Sequence, residues 1–290
     1  MNVGSGRLVF IAVVVTMLSS ACAGNTGTAV SAGQPAIGPI PTVRSATDLH
    51  GPLDSYMLTN DDQWKISIGN RISDWKCIRN KGFDIPVKSI PIAEVSNDDS
   101  FGYLKFLDAA TASQYGYHLP PAVPHPGTEV VHPLFSNQLA AQQAWTSGCQ
   151  SIVTQTRSNQ FQLPVDPKGG VQLSMAKAQV DSRYLAVAAR WSTCMSKSGY
   201  TFKTPLDAMN AKPWGLTDPS GQSRGPVTAV ESGTAGADAR CRQETNFQGW
   251  WVALVNAYEN RFISANEGKL LESKKIAQSE LDAAVKAAVS

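Results

Sequence analysis

Apolar residues recur at helical spacing in three long stretches of the chain and alternate at strand spacing almost nowhere. Trp64, Ile68, Ile72 and Trp75 mark one helical face, with Thr59 and Asp62 placed as a capping box at its start. Tyr184, Leu185, Val187, Ala188 and Trp191 mark a second. Trp251, Leu254, Val255, Tyr258, Phe262 and Ala265 mark a third, which Leu270, Leu271, Ile276, Leu281 and Val285 continue with charged residues opposite. An aromatic stripe of this kind reads as core before it reads as a ligand groove. A short helix is predicted from Leu107 to Tyr115, stopped by Gly116. "TEVV" and "VHPLF" are too short and too close to proline to predict a sheet. Residues 84–105, 119–135 and 204–228, rich in turn-forming and polar side chains, are expected to be long irregular connections. The fold class is therefore mainly α, with helices joined by long Pro/Gly-rich loops.

One phrase occurs twice. "ISDWKCIRNKGFDIP" (72–86) and "AARWSTCMSKSGYTFKTP" (188–205) share a Trp, a Cys, a bulky apolar residue, three polar residues, a Gly, an aromatic and a later Pro. Both read as helix endings. Gly82 and Gly199 suit the left-handed position just past a helix, which puts Ile78 and Met195 third from its end and Phe83 and Tyr200 where an apolar contact closes the turn. Cys77 and Cys194 thus sit near helix ends. Cys149 and Cys241 lie in small-residue stretches ("AWTSGCQS", "AGADARCRQ") that let another helix approach closely. The order, helix-end cysteine then helix-body cysteine, twice over, predicts a body spanning 53–290 built of two related halves, 53–165 and 171–290. Four cysteines admit three pairings. A bridge closing each half would join Cys77 to Cys149 and Cys194 to Cys241, with loops of about 73 and 48 residues and roughly 4 kcal/mol from each in the chain-entropy model. The absence of C-x-x-C and of close Cys/His spacing disfavours structural zinc and a redox dithiol.

The fifth cysteine stands apart. Arg7 precedes an apolar run, Leu8 to Leu18, and small residues lead to Cys22. Eleven residues rise about 16 Å as a helix, half of a hydrocarbon core of roughly 30 Å, so the run reads as an export signal (1–21) and not as a membrane span. "LSSAC" resembles the lipobox of bacterial lipoproteins, with Ser19 where that motif usually carries Leu. The resemblance implies that Cys22 bears a thioether-linked diacylglycerol and becomes the first residue of the mature chain. Two acyl chains hold stably where one does not. Residues 22–52 are then the lipidated cysteine and a flexible tether, small, Gly/Pro-rich and almost uncharged.

Charge and candidate chemistry change this picture little. The net charge is +2, or +1 once Arg7 leaves with the signal, so there is no basic stripe to neutralise phosphates, no expectation of nucleic acid as a partner, and none from net charge of electrostatic membrane docking beyond the lipid. Gly221 to Gly225 matches the G-x-S-x-G nucleophile pattern around Ser223, but turn residues precede it, Pro226 follows, and no histidine lies beyond His132. Asp61 with Asp62 and Asp98 with Asp99 are sequence neighbours in polar surroundings, which is not the arrangement of a cleft-spanning acid pair. His118, His125 and His132 recur every seven residues and could supply three ligands to an open zinc site; unrelated histidines in proline-rich loops are the plainer reading.

Trp191-x-x-Cys-Met with Gly199-Tyr200, "YGYHLPP" at 115–121 and Asp238-x-x-Cys, together with the lipobox, resemble a group of uncharacterised actinobacterial lipoproteins. The first half departs from the pattern, with Ile78 where the second has Met195. The resemblance implies an envelope location and a cysteine framework and no known activity. The sequence thus points to a lipoprotein anchored on the extracytoplasmic face of the cell membrane, serving without a cofactor as a non-catalytic binding or interaction module for an envelope ligand or protein that the residues do not name. An envelope hydrolase, zinc-dependent through the loop histidines, is the alternative.

Overall fold

The computed structural model describes residues 33–84, 87–93, 107–118, 124–133, 139–149, 163–211, 214 and 226–289, with the backbone alone for 87–93, 124–133 and 287–289. Helix α1 (Asn60–Asn80) begins where the sequence places it: the Thr59 hydroxyl accepts from the Asp62 backbone N–H at 3.1 Å, and the Asp62 carboxylate accepts from the Thr59 N–H at 3.2 Å. It ends as a Schellman turn. Gly82 takes φ +88°, and the Phe83 N–H reaches back to the Ile78 carbonyl. Two strands follow, β1 (Val87–Ala93) and β2 (Pro124–Pro133), with the short helix α2 (Ala109–Tyr115) between them. Then come α3 (Leu139–Ala144), which widens into a π-helical turn over Trp145–Cys149, α4 (Pro167–Gln179), α5 (Ser182–Lys197), α6 (Pro205–Met209), α7 (Ala229–Glu244) and the 43-residue α8 (Phe247–Val289).

The strands correct the expectation of irregular chain over 84–105 and 119–135. β1 and β2 pair antiparallel, Val87 opposite Pro133 through Pro91 opposite Glu129; beyond this the register shifts, so that two steps of β1 face five of β2 before Ala93 meets Pro124. A two-stranded ladder has an outer edge on both strands, where a proline need not donate, and a bulge absorbs the rest. The fold remains mainly helical.

Helix α8 organises the rest. At about 1.5 Å per residue its 43 residues run roughly 65 Å, long enough for α4, α5 and α7 to pack on it near its start and α1 near its end. The main core gathers where it begins: Trp191 and Met195 of α5 and Phe247, Trp251 and Leu254 of α8 are fully buried, and the Tyr184 ring meets Phe247 and Trp251 edge-on at 5.6 Å each. Not every residue of the predicted stripes turns inward. Leu185 is 54% exposed, and Trp64, Ile68, Ile72 and Trp75 are only half-buried, while Ile66, Gly69 and Ile78 take the inner side of α1. Gly69 marks the crossing with α8: a Cβ there would overlap the Ala284 carbonyl. α1 from the first cysteine half therefore lies along a helix of the second.

Residues 33–52, expected to be free tether, lie on the body as a strap. Ile37 and Val43 pack against the core, Leu49 is buried, and the Pro41 carbonyl accepts from the Asn246 side chain at 3.0 Å. A strap of small residues with spaced aliphatics fits a shallow surface, and Gly249 of α8 makes room for it, since a Cβ there would meet the Pro41 carbonyl.

Candidate functional site

Both disulfides form as the repeat predicted, Cys77 with Cys149 (Cα atoms 5.8 Å apart) and Cys194 with Cys241 (5.6 Å). Beside each one a tryptophan indole donates to a buried aspartate across the bridge. In the first half the Trp145 N–H reaches an Asp74 oxygen at 3.1 Å; in the second the Trp191 N–H reaches an Asp238 oxygen at 2.9 Å. The partners are exchanged between the halves: Asp74 shares α1 with Cys77 and Trp145 precedes Cys149, whereas Trp191 precedes Cys194 and Asp238 shares α7 with Cys241. Sequence reasoning missed this latch, although "DWKC" and "DARC" both spell Asp-x-x-Cys and could have shown it.

The second latch is the more elaborate. Asp238 is fully buried and takes Arg242, one helical turn on, through Nε and Nη2 at 2.7 Å each, together with the Tyr117 hydroxyl at 3.2 Å. Tyr117 and Trp191, from distant parts of the chain, thus converge on the Asp238 carboxylate. Burial raises the Tyr117 phenol far above its ordinary range, with the Asp238 charge adding to the effect, so it stays a neutral donor. The network joins α2, α5 and α7 and reads as scaffold. In the first half, burial likewise pushes Asp74 up, against the Trp145 N–H and Arg71 that pull it down.

Glu231, buried in the first turn of α7, holds the end of α2. One of its oxygens accepts the Tyr117 backbone N–H at 3.0 Å and lies 3.2 Å from His118 Nε2. Gly116, at φ +60°, is there because a side chain would strike this carboxylate. Of the three histidines considered as zinc ligands, His118 is therefore buried against Glu231. His125 and His132 lie in β2, where the backbone alone is described, and among the described residues no three His, Cys, Asp or Glu side chains gather to hold a metal. Asp62 serves as a cap and Asp61 pairs with Lys65; Ser223 and the pair Asp98 and Asp99 lie outside the described residues. No described helix is long and apolar enough to cross a membrane.

The candidate binding site lies under the strap. Thr42, Val43 and Arg44 form one wall of a cleft of about 380 Å³; the entry to α2 at Leu107, Asp108 and Ala109 forms another; and the junction of α7 and α8, with Gln243, Asn246 and Gln248, closes it. Asn246 takes φ +48° at that junction, a left-handed turn an asparagine tolerates, and so reverses the chain between the two helices. The volume lies within the range of small-molecule pockets, and amide groups, the exposed Arg44 and the flank of Arg242 face a few aliphatic side chains. Asp108 is occupied as the cap of α2, accepting from the Ala110 and Thr111 N–H groups, which holds its carboxyl below the usual range. Among the described residues that line it, no acid–base pair and no nucleophile beside a base is assembled.

Two further charged groups fasten the strap. Asp181, fully buried, binds Arg183 through two side-chain contacts and takes the Tyr258 hydroxyl, while Arg183 Nη2 donates to the Pro35 carbonyl at 2.9 Å. Burial opposes ionisation of Asp181, but Arg183 outweighs it and holds the carboxyl low. Glu259 on α8 has no exposed surface. One of its oxygens accepts the Leu53 N–H at 3.0 Å, the other has no partner among the described residues, and burial raises its carboxyl to about 7.

Comparison with protein-family models, curated proteins and solved structures returns no match to this chain.

Proposed function

We propose that this chain is a lipoprotein held on the extracytoplasmic face of the cell membrane through Cys22, and that its helical body is a non-catalytic binding module whose ligand enters the cleft under the strap. The observation that carries the anchoring is the cysteine arithmetic. Two bridges use four of the five cysteines, so Cys22, which follows an apolar run and small residues, has no cysteine of its own chain to pair with. A leftover thiol in an exported, disulfide-bonded protein calls for another chemistry, and acylation after a lipobox-like segment supplies one. The kinship with actinobacterial lipoproteins belongs to the same reading, supported by the convergence of its motif residues on Asp238.

Binding is supported by the cleft, whose convergent amides, Arg44 and small aliphatic surface are suited to a polar solute of modest size. Two measurements test the reading. Cys22→Ser should move the protein from the membrane to the soluble fraction and abolish the diacylglycerol mass on the N-terminal peptide; a mutant that stays wholly in the membrane refutes the anchor. Native mass spectrometry of the purified chain should find a small molecule whose occupancy falls in the Arg44→Ala/Gln243→Ala variant, both positions being exposed and outside the core. Occupancy indifferent to both changes would refute the cleft.

A further inference from the structure

The described part of the strap begins at the corner between α4 and α5. There the Gly33 carbonyl accepts from Arg261, the Gln34 side-chain oxygen accepts from the Ser182 hydroxyl at 3.1 Å, and the Pro35 carbonyl accepts from Arg183. The same corner presents aliphatic side chains to solvent. Val180, the last residue before it, is 75% exposed, and Leu185, one helical turn past Ser182, is 54% exposed. Leu173, two turns before Val180 on α4, is also exposed. From Leu173 to Arg190 the only acid is Asp181, buried and bound to Arg183, so the exposed Lys177 and Arg190 leave the segment cationic.

We propose that this corner is a docking surface for the anionic lipid bilayer, with Val180 and Leu185 at the acyl boundary and Lys177 among the headgroups. The proposal rests on the reading of Cys22 as lipid-anchored and adds an orientation to it. Ten residues lie between Cys22 and Gly33, and covalent geometry alone keeps Gly33 within about 40 Å of the anchored sulfur. Gly33 is the described residue nearest Cys22 along the chain, and it lies at the part of the body that exposes aliphatics beside cations. Two such side chains bind a bilayer weakly by themselves, but the anchor makes the encounter intramolecular, so a weak surface is enough to set how the body lies. Docked this way, α5 would lead away from the membrane, its 16 residues carrying the opposite end about 24 Å off.

That opposite end supplies the control. Val230 of α7 is 66% exposed, and it lies by the far end of α5, because Gly233, one turn on, faces the hydroxyl of Tyr200, three residues past that helix. The full-length lipidated chain would carry the photoreactive residue p-benzoylphenylalanine at position 185 or at position 230, reconstituted in phosphatidylglycerol and phosphatidylethanolamine vesicles. Lipid adducts at 185 should exceed those at 230 several-fold, and Lys177→Glu should lower the yield at 185 without changing vesicle flotation. Equal yields at the two positions, in a chain whose N-terminal peptide carries the lipid mass and which floats with vesicles, overturn the docking and leave the anchor standing. A chain without the lipid mass that fails to float overturns both.

Discussion

Replacing Glu259 by Gln should remove a pH dependence that the native fold carries through the neutral range. The carboxyl has no exposed surface, has one hydrogen bond among the described residues, and is raised from 4.5 to about 7 by burial, with the Leu53 N–H pulling the other way and the Asp54 charge adding to the rise. A folded carboxyl that titrates above its unfolded value binds more protons than the unfolded chain between those two points, so stability falls as pH rises from about 4.5 to about 7 and then levels. At 1.36 kcal/mol per tenfold, moving from 4.5 to about 7 makes ionisation cost the fold roughly 3 kcal/mol. Glutamine keeps an acceptor for the Leu53 N–H and never ionises. The assay is equilibrium denaturation of both proteins, disulfides intact, at several pH values from about 4.5 to 8. Other carboxylates titrate in both chains and cancel in the difference, which should move by about 3 kcal/mol in favour of Gln across the range. A difference that stays flat, or one that favours Glu at the alkaline end, would show that Glu259 is ionised and well solvated or paired in the fold, and the reasoning would fail.

Two glycine substitutions separate two kinds of constraint. Gly69→Ala should lower stability by about 1–3 kcal/mol, because the new methyl must push α1 off the Ala284 carbonyl, whereas Gly199→Ala, at φ +87° with open space around it, should cost only about 1–2 kcal/mol of backbone strain; an unchanged melting temperature for either disproves its mechanism. Trp145→Phe should destabilise by about 1–3 kcal/mol by leaving Asp74 buried without its indole donor, and Asp74→Asn in the same chain should recover part of the loss; no recovery would mean that the indole contributes packing alone. Changing Cys194 and Cys241 together to Ser should cost roughly 4 kcal/mol, read as a shift in denaturation midpoint, and a negligible shift would contradict the loop-closure account.

The features legible in the sequence are those set within a turn or two of the chain. The capping box at Thr59, the glycine endings at Gly82 and Gly199 and the stop at Gly116 follow from backbone sterics and nearby hydrogen bonds, and each lies where the residues place it. The cysteine pairing was legible because a repeated phrase carries long-range information in local form. What required the tertiary structure was which face of each helix meets which neighbour. Gly69 reads as a weak point in a helix until α8 crosses it, and Leu185 reads as core until α5 turns it outward. The indole-to-carboxylate latches, the strap over the cleft and the buried Glu259 join residues dozens to hundreds of positions apart, from Asp238 and Trp191 to Leu53 and Glu259. Periodicity records only that a side chain will be buried; its partner is decided by the packing of whole elements, whose energy no single segment contains.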